Sequence, residues 1–122
     1  MSAHLALFDL DHTLLDGDSN ALWLDYLVAQ GHAPAAALAE QAAFYAAYEA
    51  GELDIDAYLR FHLGLLSTQT LSAWHPIRAA FVSRQIAPRI SPAARAAVDA
   101  HRRQGDLMAV VTATKRGCQI WV

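Results

Sequence analysis

The sequence predicts an α/β fold: a parallel strand pair with a long helical insert between the two strands. Three observations carry this. The 122-residue chain opens on a short apolar run, Leu5-Ala6-Leu7-Phe8, that stops at Asp9. A second short run, Leu107-Met108-Ala109-Val110-Val111-Thr112-Ala113-Thr114, is β-branched and follows a helical pattern and Gly105, as a buried parallel strand does. Roughly seventy residues of helical periodicity lie between the two runs. Strand, helical insert, helix, strand is one crossover of an α/β sheet with a helical module inserted early.

The elements follow in order. The first run is apolar on both faces and reads as a buried strand. Asp16-Gly17-Asp18-Ser19 is a turn with a helix cap. Asn20 to Gln30 carries Ala21, Leu24, Leu27 and Val28 on one face, and Gly31 stops it. Pro34 suits the first turn of an alanine-rich helix that ends at Gly51, with Leu38, Ala42 and Tyr45 in one stripe and Phe44 and Tyr48 in another. Asp54 caps a third helix bearing Ile55, Tyr58, Leu59, His62, Leu63 and Leu66. A fourth runs from Leu71 to Ile86, with His75-Pro76 either kinking it or marking its true start. Ser91-Pro92 then opens a helix that ends at His101-Arg102-Arg103-Gln104, its basic last turn complementing the helix dipole. The aromatic side chains of the insert fall at helical spacing and read as core.

The chemistry is concentrated at the end of the first strand, in Asp9-Leu10-Asp11-His12-Thr13-Leu14-Leu15. Side chains alternate across a strand, so Asp9 and Asp11 leave it on one side and Leu10 on the other. Ligands of open α/β sheets bind outside the carboxyl ends of the strands. Two carboxylates there suit a hard cation such as Mg²⁺. An ordinary strand followed by an acidic turn is the plain alternative for the same residues. A nucleotide-sugar glycosyltransferase also carries Asp-x-Asp, but generally after a nucleotide-binding unit, and only a few residues precede the pair here.

Hydrophobic strand, Asp9-x-Asp11-x-Thr13 and the return to Leu14-Leu15 resemble the first motif of the haloacid dehalogenase (HAD) superfamily. The resemblance implies a HAD-like Rossmannoid parallel sheet with an inserted helical cap, present as its N-terminal part. It makes Asp9 the nucleophile and Asp11 the general acid/base, both contributing to a Mg²⁺ site, with Thr13 bracing the turn through backbone hydrogen bonds. Thr112, the first hydroxyl after the apolar run of the second strand, resembles the second motif and is the expected phosphate ligand; Thr114 is its alternative. The insert resembles the cap of the branch that contains phosphoserine phosphatase. The implied division is core over 1–16, helical cap over 17–90 and core again over 91–122. Within the superfamily Asp11 argues for a phosphatase rather than a dehalogenase, which has no leaving alcohol to protonate.

Composition fits such an enzyme and excludes other classes. Hydrophobic residues make up 55% and charged residues 17%, as in a globular domain. A net charge of −3 and a pI near 6.0 give no electrostatic footprint for nucleic acid or an anionic membrane. No run is apolar for long enough to cross a bilayer, and no export signal is expected. The single cysteine, Cys118, fits a reducing cytoplasm. The expected partner is a small phosphorylated metabolite, and the oligomeric state is left open. The six histidines show no zinc-like spacing.

The resemblance also implies a third motif, a lysine, and a fourth, an acidic pair, both after the second. Lys115 follows Thr112 too closely to match the third motif, and no acidic residue occurs in Lys115 to Val122. The expectation is therefore a truncated or frameshifted form with impaired or absent turnover. The competing reading is a non-catalytic helical interaction module that retains HAD strands.

Overall fold

A computed structural model describes residues 4–111. Strand β1 (Leu5–Phe8) is followed by helices α1 (Ser19–Ala29), α2 (Ala36–Glu49), α3 (Ile55–Leu66) and α4 (Leu71–Phe81). A π-helical turn (Val82–Ile86) and a 3-10 turn (Ala87–Arg89) lead to helix α5 (Pro92–Arg103) and strand β2 (Leu107–Val110). The chain divides into two compact units, Met1–Leu22 with Arg78–Val122, and Trp23–Ile77.

In the first unit β1 and β2 pair in parallel, Leu5 opposite Leu107 through Phe8 opposite Val110. Ser91 begins α5 by accepting a hydrogen bond on its Oγ from the Ala94 amide at 3.0 Å, and Pro92 occupies the first turn, where its missing N–H costs nothing. Gly105, at φ +75°, takes the left-handed position that ends the helix. Just beyond it Asp106 meets the His101 ring at 2.7 Å. Phe8 lies edge-on to that ring, with centroids 5.7 Å apart. Leu10, Leu14, Leu15, Phe81 and Ile86 are buried.

The strands are not buried on both faces, as their composition predicts. Both show an alternating pattern, with Leu5, Leu7 and Leu107 each about 60% exposed or more. The reason is architectural. Among the described residues the sheet has two strands, and α5 packs beside β2, so only the residues alternating with these leucines gain partial cover.

The second unit is helical. Asp54 caps α3 by accepting from the Ala57 amide at 3.1 Å. Phe44 of α2 packs on Tyr58 and Phe61 of α3 with centroids 5.5 and 5.4 Å apart, and His62 is buried beside the same two rings. Trp74 of α4 is buried against Trp23 and donates its indole N–H to the Leu66 carbonyl. Trp23 and Trp74 are core, as their spacing predicts, while Phe44, Tyr58 and Phe61 are half-buried and Tyr48 is 71% exposed.

Two helix boundaries depart from expectation. Pro34 precedes α2 by two residues instead of sitting in its first turn, and its carbonyl accepts from the Ala37 amide. Pro76 lies inside α4, which begins at Leu71, so His75-Pro76 does not mark the start. The α-helical part ends at Phe81, and the stretch to Ile86 widens into the π-helical turn.

Candidate functional site

After Phe8 the backbone folds back on itself. The Leu10 carbonyl accepts from both Thr13 and Leu15 amides, the Asp9 carbonyl from Leu14, and the Gly17 carbonyl from His12. This closes a tight loop over 9–17, tied to the rest of the unit by the Asp16 amide donating to the Arg89 carbonyl. Two residues have unusual backbones. Gly17 sits at φ +141°, and a Cβ there would come within 3.2 Å of a Leu22 methyl. His12 sits at φ +56°, left-handed for a residue that is not glycine. Histidine is among the types that tolerate this region, whereas a β-branched side chain is not.

That geometry yields a testable expectation. His12→Val should cost about 1–2 kcal/mol, the penalty for a crowded left-handed residue, while His12→Gly should be near neutral. Urea unfolding of the two variants reads the difference; equal midpoints would contradict it.

The loop places the carboxylates. Asp9 is exposed at the end of β1; its Oδ1 accepts from the Leu10 amide at 2.9 Å and its Oδ2 from the Thr13 hydroxyl at 3.0 Å. Thr13 therefore braces the Asp9 side chain, not the turn backbone, because the 9–14 turn brings its hydroxyl back over the strand end. Asp11 is half-buried, and its Oδ1 accepts from the Ser19 amide, the first residue of α1, at 2.8 Å. Asp18 takes the next two amides, Asn20 at 2.8 Å and Ala21 at 3.2 Å. Three N–H groups at the start of α1 are thus satisfied by two carboxylates. Leu10, between the acids, is 1% exposed.

The structure joins Asp9 to Thr13 and Asp11 to Ser19. Thr112, Thr114 and Lys115 lie outside the described residues. The Ser19 amide and the left-handed His12 are the parts sequence reasoning missed. The Asp18-Ser19-Asn20 run signalled a helix start but gave no sign that Asp11 would share it. Among the described residues, no group of three or more His, Cys, Asp and Glu side chains is arranged to hold a metal. The donor set still suits Mg²⁺, which takes one or two carboxylates together with water and phosphate oxygens. Each Asp9 oxygen accepts one hydrogen bond and keeps further lone-pair capacity. No helix among the described residues is long and apolar enough to cross a membrane.

Comparison with known proteins gives three findings. The model of the haloacid dehalogenase-like hydrolase family matches residues 6–117. A histidinol-phosphatase of Neisseria meningitidis serogroup C (strain 8013) is 39% identical over 112 residues, covering 91% of this chain and 50% of that protein. A crystal structure of a Bordetella pertussis Tohama I protein, described as having unknown function, superposes with a TM-score of 0.82 at 37% identity. It covers 93% of this chain and 52% of its own. The chain thus spans about half the length of these relatives. Its mixed α/β architecture is that of a HAD-like Rossmannoid sheet with inserted helices, and the chain belongs to the haloacid dehalogenase-like hydrolase family.

Proposed function

We propose that this chain carries the reacting carboxylates of a phosphomonoester hydrolase that works through an aspartyl-phosphate. The observation that supports it best is the tethering of Asp9: exposed at a strand's carboxyl end, yet held at both oxygens by Leu10 and Thr13. An orienting pair of hydrogen bonds on an exposed acid is what an attacking group needs.

In the proposed reaction an Asp9 carboxylate oxygen attacks phosphorus as the ester P–O bond breaks. Asp11 gives its proton to the leaving alcohol. It then takes a proton from water as that water attacks the phosphoryl phosphorus, releasing inorganic phosphate and restoring Asp9. The Ser19 amide holds Asp11 in place through both steps. Thr112 contributes a hydroxyl to a phosphoryl oxygen. Asp9 and Asp11 would hold a Mg²⁺ ion, which would supply charge neutralisation at the phosphate. The helices between 17 and 90 serve as a cap that excludes water and selects the leaving group, with core over 1–16 and 91–122.

The substrate is a small phosphorylated metabolite. The name of the Neisseria relative makes histidinol phosphate the first ester to assay, and the lone cysteine fits work in the cytoplasm. A polypeptide of these 122 residues by itself is expected to turn over slowly. Phosphoryl transfer depends on charge neutralisation, and Asp9 makes no ion pair among the described residues.

Beryllofluoride mimics a phosphoryl group on a carboxylate, so it tests the proposal without turnover. With Mg²⁺ it should raise the melting temperature by on the order of 10 °C near saturation, in line with about 2–3 kcal/mol of linkage at 100-fold over Kd. Asp9→Asn should abolish the shift. No shift in the unsubstituted chain at any accessible concentration would favour the non-catalytic helical module.

A further inference from the structure

Helix α3 packs by one side only. Tyr58 and Phe61 meet Phe44, and His62 is 4% exposed. On the remaining surface, Ile55, Leu59 and Leu63 follow at four-residue spacing and are 56%, 49% and 62% exposed. Such a row forms a continuous apolar stripe along a helix. Beside it runs a second exposed row, Asp56, Arg60 and Gly64. Asp56 and Arg60 form no ion pair with each other, although their spacing would permit one.

We propose that α3 is a self-association surface: two copies of this chain pair their α3 helices antiparallel about a two-fold axis at Leu59. In that register Leu59 meets Leu59 of the partner subunit, and Ile55 meets Leu63 of the partner subunit. An antiparallel two-fold pair brings the same flank of each helix together. Asp56 then faces Arg60 of the partner subunit, and the symmetry repeats the contact. The self-complementary charges favour a second copy over an unrelated partner. One helix pair is a small interface, so the dimer is expected to be weak, with a Kd on the order of micromolar.

Sedimentation of the full chain carrying Cys118→Ser tests this, with far-UV circular dichroism monitoring the fold. Leu59→Glu should weaken the dimer by roughly tenfold or more, since the charge appears twice at the centre of the contact. Asp56→Arg alone and Arg60→Asp alone should each weaken it several-fold, because each creates two like-charge contacts. The double variant Asp56→Arg with Arg60→Asp should restore it. If Leu59→Glu unfolds the chain, the charge exchange decides by itself. A monomer up to about 200 µM would overturn the proposal, since a micromolar dimer would be populated there. So would association indifferent to Leu59→Glu in a folded variant, or single reversals not rescued by the double.

Discussion

Asp9→Asn is expected to eliminate phosphoryl acceptance, lowering Mg²⁺-dependent phosphate release by on the order of 10³-fold or more. The substitution keeps the side chain's size and one carbonyl oxygen, so the contacts to Leu10 and Thr13 need not all be lost. What disappears is the anionic oxygen that attacks phosphorus. Borohydride trapping separates this from a folding defect. In the unsubstituted chain supplied with a small phosphodonor, reduction of the acyl-phosphate should leave homoserine at position 9. Asp11→Asn provides the second half of the argument. Without a group to take the proton from water, the acyl-phosphate should form from a donor with a good leaving group and then persist. Release undiminished by Asp9→Asn, or label trapped at another residue, would overturn the assignment.

Phe81→Ala is expected to be the most damaging change to stability. Phe81 is the last residue of α4, is 0% exposed, and belongs to the same unit as the loop carrying Asp9 and Asp11. Removing a buried phenyl ring loses its transfer free energy and leaves a cavity, at a cost of about 3–5 kcal/mol. A small domain has only about 5–15 kcal/mol in total. Urea unfolding should show a large part of the folded margin gone. Tyr48→Ala, on a side chain 71% exposed, should change stability by no more than about 0.5 kcal/mol. Comparable losses at the two positions would mean that burial does not govern stability here.

Much of the fold was legible in the sequence where the determinants are local. The caps at Asp54 and Ser91 are formed by side chains that reach an amide three residues on, as their identities and spacing predict. Gly105 ends α5 because the left-handed position is least costly for glycine. The strand that leads into Asp9 and Asp11 was visible for the same reason: a short apolar run and two acids lie close together in the chain. Other features depend on where separate elements meet. The partner of Thr13 depends on how the 9–17 loop closes, and the partner of Asp11 on where α1 begins. Neither follows from spacing in a turn that admits several conformations.

By itself, then, the sequence determined the order and kind of the elements, most of their boundaries, and the candidate acids, because periodicity, capping and turn chemistry act over a few neighbouring residues. Tertiary structure decided which apolar residues are covered. Leu5 and Leu7 read as part of a buried strand and are exposed, and so are Ile55, Leu59 and Leu63 on α3. Leu15 and Phe81 are fully enclosed. Burial is a property of the surfaces brought together, and the hydrophobicity of a residue fixes only the free energy at stake when that happens.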